Sequence, residues 1–543
     1  MILKNSLIYL NQFFFFINKK IREVYLNSKI YNRKISRVRR NNLKYKPSPS
    51  LLECIVKVKK EKNNIGDLSL DKIWLEKNIN NKDFINLNSF FWLFTLDLNS
   101  PKKDVQSTIA EWINKNHNYN NLTWEVDILS KRIISWISNA KITYEDSDDY
   151  YKEKFDWVIK KQVNHLINEI KQSQWVDNKM IGCSAIILTG IAYNEKYFLD
   201  YGFDLLKKII KVSFDKDGFP KTRNLRQLNF YLKYFILIRE WLKESQNEIS
   251  DYLDEIIYYL GQAFTLTNKN ISNNFLFNGN HNFKDTNLEI QIKKLGYNFK
   301  NDLDEVGGYL LLKNKNFVLA ADLGPSPERN YSKDYQSGAL SFEFISNKNK
   351  IITNSGYFQN SKHQLNLISK FTASQTTLGV GSSSSVNFLK SSDGENVINN
   401  SLRIFDKNIS SNKNLWSFQA SHDGYEKRYG IIHQRKVEFN HSNLKLSGTD
   451  NIIKKKNFKS TNFEIRFHLI PSARVMKTQD GKSIFIEVEK EGWKFTSSTH
   501  KIDFETGLYF GYKNSFIENQ NIFISDMISE QDTSIKWEIE RVQ

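Results

Sequence analysis

Hydrophobic spacing changes period once along this chain, and that single change limits the folds open to it. From about Leu51 to Thr265 apolar residues recur every three or four positions, as in Phe230-Tyr-Leu-Lys-Tyr-Phe-Ile-Leu-Ile-Arg-Glu-Trp241, with few prolines to interrupt them. From about Val306 the pattern becomes short apolar runs separated by Gly, Asn and Ser. Examples are Gly307-Gly-Tyr-Leu-Leu-Leu-Lys313, Asn316-Phe-Val-Leu-Ala-Ala-Asp322, Leu340-Ser-Phe-Glu-Phe-Ile345 and Ile484-Phe-Ile-Glu-Val488. A block of helices followed by a block of strands excludes a doubly wound parallel sheet, which needs the two to alternate. The chain reads as α+β in three parts: a basic segment over 1–50, a helical domain over 51–290 and an antiparallel β domain over 291–543.

The composition removes other classes. With 40% hydrophobic and 14% aromatic residues, the chain carries enough apolar surface to fold as a globular protein. Cys54 and Cys183 are too few for a disulfide framework or a thiolate metal site, so both are expected to be inert core thiols. No Rossmann glycine fingerprint, phosphate loop or zinc-finger spacing occurs. Lys and Arg number 78 against 60 Asp and Glu, a formal charge of +18, which favours a polyanionic partner.

The N-terminus carries part of that charge. An apolar stretch, Ser6 to Ile17, lies between Lys4 and the basic Lys19, Lys20 and Arg22, with no small-residue cleavage site after it, and is expected to form an amphipathic helix. The tract Arg33, Lys34, Arg37, Arg39, Arg40, Lys44 and Lys46 is expected to be a solvated connector. It can touch an anionic membrane surface. Nucleic acid is a weaker reading, because no nucleic-acid module accompanies the tract.

Several strings, taken in order, resemble the heparinase II/III-like family of polysaccharide lyases. They are Ser89-Phe-Phe-Trp-Leu-Phe94, Trp124-Glu-Val-Asp-Ile-Leu-Ser-Lys-Arg132 through Trp136, Asp217-Gly-Phe-Pro-Lys-Thr-Arg223-Asn224 and Phe277-Asn278-Gly279. The β half adds Ala321-Asp322-Leu-Gly324, Gly338-Ala-Leu-Ser-Phe-Glu343, Asn354-Ser-Gly356, Ser421-His422-Asp423-Gly424-Tyr425, Gly430-Ile-Ile-His433-Gln-Arg435 and Phe467-His468-Leu-Ile-Pro471. The resemblance implies an N-terminal incomplete (α/α) toroid, a C-terminal antiparallel β-sandwich, and an acidic, glycosaminoglycan-like polysaccharide in the cleft between them. It also implies a cell-envelope or periplasmic setting, the cytoplasm being the alternative.

A lyase acting on a uronic acid must neutralise the carboxylate, remove the adjacent proton and protonate the leaving oxygen. Within the matched segments the catalytic candidates are Arg223, Asn278, His281 and Tyr335. The candidates for holding substrate are Asn224, Gln336, Gln375, His422 and Tyr425. The family's own pattern is broken at three points: its histidines fall on Pro220, Gln336 and Gln375. Glutamine is a poor zinc ligand and proline cannot titrate, so no zinc or other cofactor is expected. The two functions that follow are a lyase cleaving by β-elimination, and a catalytically degenerate relative that only binds an acidic glycan.

Overall fold

The computed structural model describes residues 17–18, 20–48, 51, 81–96, 100–173, 176–268, 274–282, 286–300, 303–391, 394–512, 515–528 and 533–542. Most of the expected N-terminal helix, and Cys54, lie outside these residues. The chain separates into two compact units. One comprises 1–213, 230–258 and 286–298; the other comprises 214–229, 259–285 and 299–543.

The first unit is helical. Its main helices are α1 (Lys29–Ile35), α2 (Asn81–Ser89), α3 (Lys102–Asn116), α4 (Val126–Ser138), α5 (Asp149–Glu169), α6 (Val176–Tyr193) and α7 (Lys196–Ser213). Local chemistry starts them: the Glu125 carboxylate accepts the Asp127 and Ile128 N–H groups, and Asp148 accepts that of Tyr151. α6 is buried on every face from Met180 to Tyr193, whereas α7 buries only one stripe, including Phe198, Leu205, Leu206 and Ile209. Cys183 is buried in α6 and burial pushes its thiol pKa up, the inert core thiol expected of it. Arg132, fully buried, lies over the Trp112 ring at 4.1 Å and donates to the carbonyls of Asn88 and Thr123.

The basic tract departs from the expectation of a solvated connector. The Lys44 and Tyr45 N–H groups both donate to the Ala192 carbonyl, and Lys160 Nζ donates to the carbonyls of Arg39 and Asn41. Leu43 is buried. The backbone is docked onto α5 and α6 while the Arg39 and Arg40 side chains stay exposed, at 86% and 92%. Backbone groups cannot be read from a charge run, which is why this was missed.

The second unit is built on strands. They are β1 (Glu305–Val306), β2 (Tyr309–Lys313), β3 (Phe317–Asp322), β4 (Phe342–Ser346), β5 (Asn349–Ile352), β6 (Leu378–Val380), β7 (Phe388–Lys390), β8 (Asn396–Ile398), β9 (Ile404–Ser411), β10 (Leu415–Tyr425), β11 (Ile431–Asn440), β12 (Lys445–Lys454), β13 (Asn462–His468), β14 (Arg474–Lys477), β15 (Ser483–Val488), β16 (Glu491–Ser497), β17 (Asp503–Tyr509), β18 (Ile517–Met527) and β19 (Thr533–Arg541). β1 to β5 form one meander. A second sheet runs β14-β15-β16-β19-β12-β11-β10-β9, a third runs β17-β18-β13-β6, and all named pairings are antiparallel.

Alternation packs the sheets face to face. β12 shows inward residues at every second position, and its Gly448 lies opposite Trp537 of β19. A side chain at Gly448 would meet the Trp537 indole at 2.0 Å, so glycine is what lets that ring lie flat against the strand. The indole stacks on Phe342 of β4 with ring centroids 5.5 Å apart and contacts Phe467 of β13 at 4.8 Å. One aromatic residue thus ties three sheets into one core.

Candidate functional site

Arg223, Asn278 and Gln336, singled out in sequence, are brought together within the second unit around Asp322, an aspartate that was not among them. Arg223 precedes helix α8 (Leu225–Glu244) and holds a left-handed backbone conformation, φ 56°. Its guanidinium donates from Nε to Gly307 O at 3.0 Å, from Nη1 to Pro325 O at 3.0 Å and from Nη2 to Asp322 Oδ1 at 2.6 Å, and it covers the Tyr309 ring at 4.6 Å. Burial alone would lower its pKa, but Asp322 and Tyr309 raise it instead. A Cβ at residue 324 would lie 2.3 Å from Arg223 Nη2, which explains the glycine of Ala321-Asp322-Leu-Gly324.

Asn278 sits on the loop 274–282 with φ 38°. Its Nδ2 donates to the Tyr309 hydroxyl at 2.5 Å and to Asp322 Oδ2 at 3.1 Å, while its Oδ1 accepts the Gln336 N–H at 3.1 Å. Tyr309 in turn donates to the Arg223 carbonyl. The loop is fixed at its other end by buried Glu343, which accepts the Leu276 N–H and pairs with Lys350 at 2.8 Å. His281 is half-buried further along the same loop, its carbonyl accepting Asn274 Nδ2.

The segment 334–336 closes the network. Gln336 accepts the Gly279 N–H and donates from Nε2 to the carbonyls of Gly356 and Ser369, at 2.8 and 2.7 Å. Gln375 Nε2 also donates to Ser369 O, at 3.2 Å. Two amides that stand 39 positions apart therefore converge on one carbonyl, both as donors. Tyr335, fully buried among Ala339, Val386, Ile398 and Leu402, has a hydroxyl with no hydrogen-bond partner among the described residues, and burial raises its pKa. Asp334 accepts from Asn224 Nδ2 at 2.8 Å and from the Tyr357 hydroxyl at 3.1 Å, and pairs with Arg226 at 3.4 Å. Asn224 Oδ1 meanwhile accepts the Arg226 N–H and so caps α8.

The remaining candidates lie elsewhere. His422 and His433 are buried in the sandwich. His422 Nδ1 accepts the Gly424 N–H, which puts its proton on Nε2, and that N–H points at His433 Nδ1, 3.1 Å away. His433 then carries its proton on Nε2 and donates to Asp450 at 2.7 Å. Burial lowers both imidazole pKa values and would raise that of Asp450, but Arg435 and His433 hold the carboxyl below its usual range. Tyr425 is fully buried, its hydroxyl donating to Leu378 O. Facing the core, these three brace strands and do not share the Arg223 network.

Asp322, Tyr309 and Asp334 were missed in sequence as site residues. The signal for Asp322 was its place in a matched string, but nothing local says that an aspartate on β3 meets an arginine 99 residues earlier. Among the described residues, no group of three or more His, Cys, Asp or Glu side chains is arranged to hold a metal ion.

Residues 303–538 match the heparinase II/III-like C-terminal family. These residues form a heparinase II/III-like C-terminal domain. The fold of the chain is similar to that of a mutant of the heparan sulfate lyase HepC from Pedobacter heparinus, with a TM-score of 0.68 at 12% identity over 95% of this chain and 88% of that one. A heparinase III structure gives 0.68 at 13% over 94% and 88%, and a heparinase III gene product gives 0.70 at 11% over 93% and 87%. The helical unit is accordingly the incomplete (α/α) toroid and the strand unit the β-sandwich. A curated relative, the FtsZ-localized protein C of Caulobacter vibrioides, is 21% identical over 247 residues, 44% of this chain, and the match spans 42% of that protein's length.

Proposed function

We propose that this heparinase II/III-like chain acts on a uronate-containing acidic polysaccharide as a metal-independent lyase. The observation that carries the reading is the buried Arg223–Asp322–Asn278–Gln336 network, which gathers segments of the matched strings and leaves the Tyr335 hydroxyl unpartnered beside it. Arg223 is neutralised by Asp322 and the Asn278 amide is spent on Tyr309 and Asp322, so both are positioning residues that fix loops 274–282 and 334–336. His281 and Tyr335 are the titratable members of the catalytic set. In this reading His281 takes the proton beside the uronate carboxylate, the C4–C5 double bond forms as the C4–O bond breaks, and Tyr335 gives its proton to the leaving oxygen.

A zinc ion does not fit the residues present. Gln336 and Gln375 both turn N–H groups toward the Ser369 carbonyl, and zinc favours imidazole, thiolate or carboxylate ligands. No step is therefore routed through a metal. An envelope or periplasmic location suits an acidic polysaccharide. Among the described residues no helix is long and apolar enough to cross a membrane.

One observation favours the second reading, a relative that binds acidic glycan without cleaving it: Tyr335 is wholly buried. The two readings separate on one experiment. Purified chain is incubated with heparan-, chondroitin- and alginate-type glycans, with and without zinc, and the ultraviolet absorbance of unsaturated uronate is followed. The lyase reading expects absorbance that is zinc-independent and abolished in Tyr335→Phe. Glycan binding with no absorbance across the panel selects the binding-only reading.

A further inference from the structure

A pocket of about 610 Å³ opens on the β unit, lined by none of the residues assigned above but sharing Val386 with the cluster that buries Tyr335, and its size falls in the range typical of small-ligand sites. Its lining combines three kinds of group. Phe371, 36% exposed, and half-buried Phe388 set two rings 6.3 Å apart at 48°. Hydroxyls come from the run Ser382-Ser383-Ser384, while those of buried Thr372 and Thr377 donate to the Ser337 and Ala339 carbonyls. Charge comes from Arg428, Arg466 and Glu464.

The serine run is built rather than loose. Gly381 and Ser382 both have left-handed backbones, φ 60° and 49°. The Tyr429 hydroxyl donates to Gly381 O, Ser383 Oγ donates to Val380 O, the Thr372 N–H donates to Ser384 Oγ, and the Ser385 N–H donates to Thr372 Oγ1. Arg428 Nη2 donates to the Ser384 carbonyl. These bonds hold the loop and leave Ser382 exposed at the mouth.

The charges are unequal. Arg466 already lies 2.5 Å from Glu464 and 2.7 Å from Glu505, so its charge is more than matched. Arg428, half-buried, donates to a neutral carbonyl and lies over the Tyr429 ring at 5.9 Å, and no carboxylate of the described residues lies within ion-pair distance of it. The pocket therefore holds one unmatched cation, an aromatic wall and a row of hydroxyl groups, with the Glu464 carboxylate opposing a second negative charge.

From this we infer that the pocket binds a saccharide unit bearing a single carboxylate. The carboxylate meets the free Arg428 nitrogens, the apolar face of the ring lies on Phe371 and Phe388, and the sugar hydroxyls meet the serine loop. The inference deepens the proposed function and rests on its uronate-containing partner, because it selects unsulfated uronate over multiply sulfated sugars.

The test is calorimetric titration of the full chain with an unsulfated alginate-type hexasaccharide, its carboxyl-reduced form, and a heparan-sulfate-type hexasaccharide. The wild type is expected to bind the first most tightly, and Arg428→Gln to weaken that binding by about tenfold or more, the size of a lost charge-assisted contact. The carboxyl-reduced sugar should bind weakly and equally to both proteins. Phe371→Ala and Asn387→Trp, a rim change at an exposed position, should each weaken binding too, and they keep the test valid should Arg428→Gln not fold. Equal binding by wild type and all three variants, no binding of the unsulfated hexasaccharide, or preference for the sulfated one overturns the inference. Binding lost in Arg428→Gln from a chain that yields no unsaturated product would retain this site and remove the lyase reading. Turnover with unchanged binding in all three variants would do the reverse.

Discussion

Asp322→Asn is the perturbation that most sharply tests the buried network. The change keeps the side chain's shape and removes its charge, leaving Arg223, 8% exposed, without its counter-ion at 2.6 Å. Asp322 also accepts from Asn278 at 3.1 Å and from the Gly324 N–H at 3.2 Å, so the replacement amide would present an N–H where acceptors are required. Stranding one partner of a buried pair costs about 3–5 kcal/mol. For a unit of this size that is a fall in melting temperature of roughly 6–20 °C. The assay is urea denaturation followed by tryptophan fluorescence, for which buried Trp493 and Trp537 report on the sandwich. Arg223→Met should cost a similar amount, and the double variant Arg223→Met/Asp322→Asn should cost about 2–3 kcal/mol less than the sum of the two single variants. An Asp322→Asn loss below about 1 kcal/mol, or strict additivity in the double variant, would refute the claim that the pair organises the unit.

Acid should weaken both units. Burial pushes the pKa values of His165 and His468 down to about 3, from 6.5. The unfolded chain therefore binds more protons than the folded one between pH 6.5 and 3; the stabilisation is complete above about pH 6.5 and is lost as pH falls toward 3. At pH 5 each histidine should cost about 2 kcal/mol, visible as a lower urea midpoint than at pH 7, and an unchanged midpoint would show that neither is held neutral. Gly448→Ala should cost about 1–3 kcal/mol by driving a methyl group into the Trp537 indole, and an undiminished thermal midpoint would contradict that packing. Zinc or a chelator should leave the thermal midpoint unmoved; a rise on adding zinc would show that Gln336 and Gln375 do not occupy their positions as amide donors.

The order of elements was legible because period survives in sequence: α8, β2, β3, β4 and β15 fall where the apolar spacing places them. Side-chain partnership was not. Arg223, Asn278 and Gln336 could be singled out from short strings, but their shared dependence on Asp322 spans up to 99 residues and leaves no periodic trace. Burial was equally hidden. Arg223 reads the same whether it faces a substrate carboxylate or an internal one, and only the structure shows that its charge is already taken. Gly324 stood in a matched string, but nothing in the sequence named the arginine lying over it.

The central claim is elimination, and mass spectrometry of a glycan digest in heavy-oxygen water tests it most directly. Elimination breaks the C4–O bond without water, so the account predicts fragments whose masses sum to that of the starting glycan, with no heavy oxygen in either new end. Fragments that gain the heavy label, or a glycan that binds the chain and is recovered uncut, would contradict it.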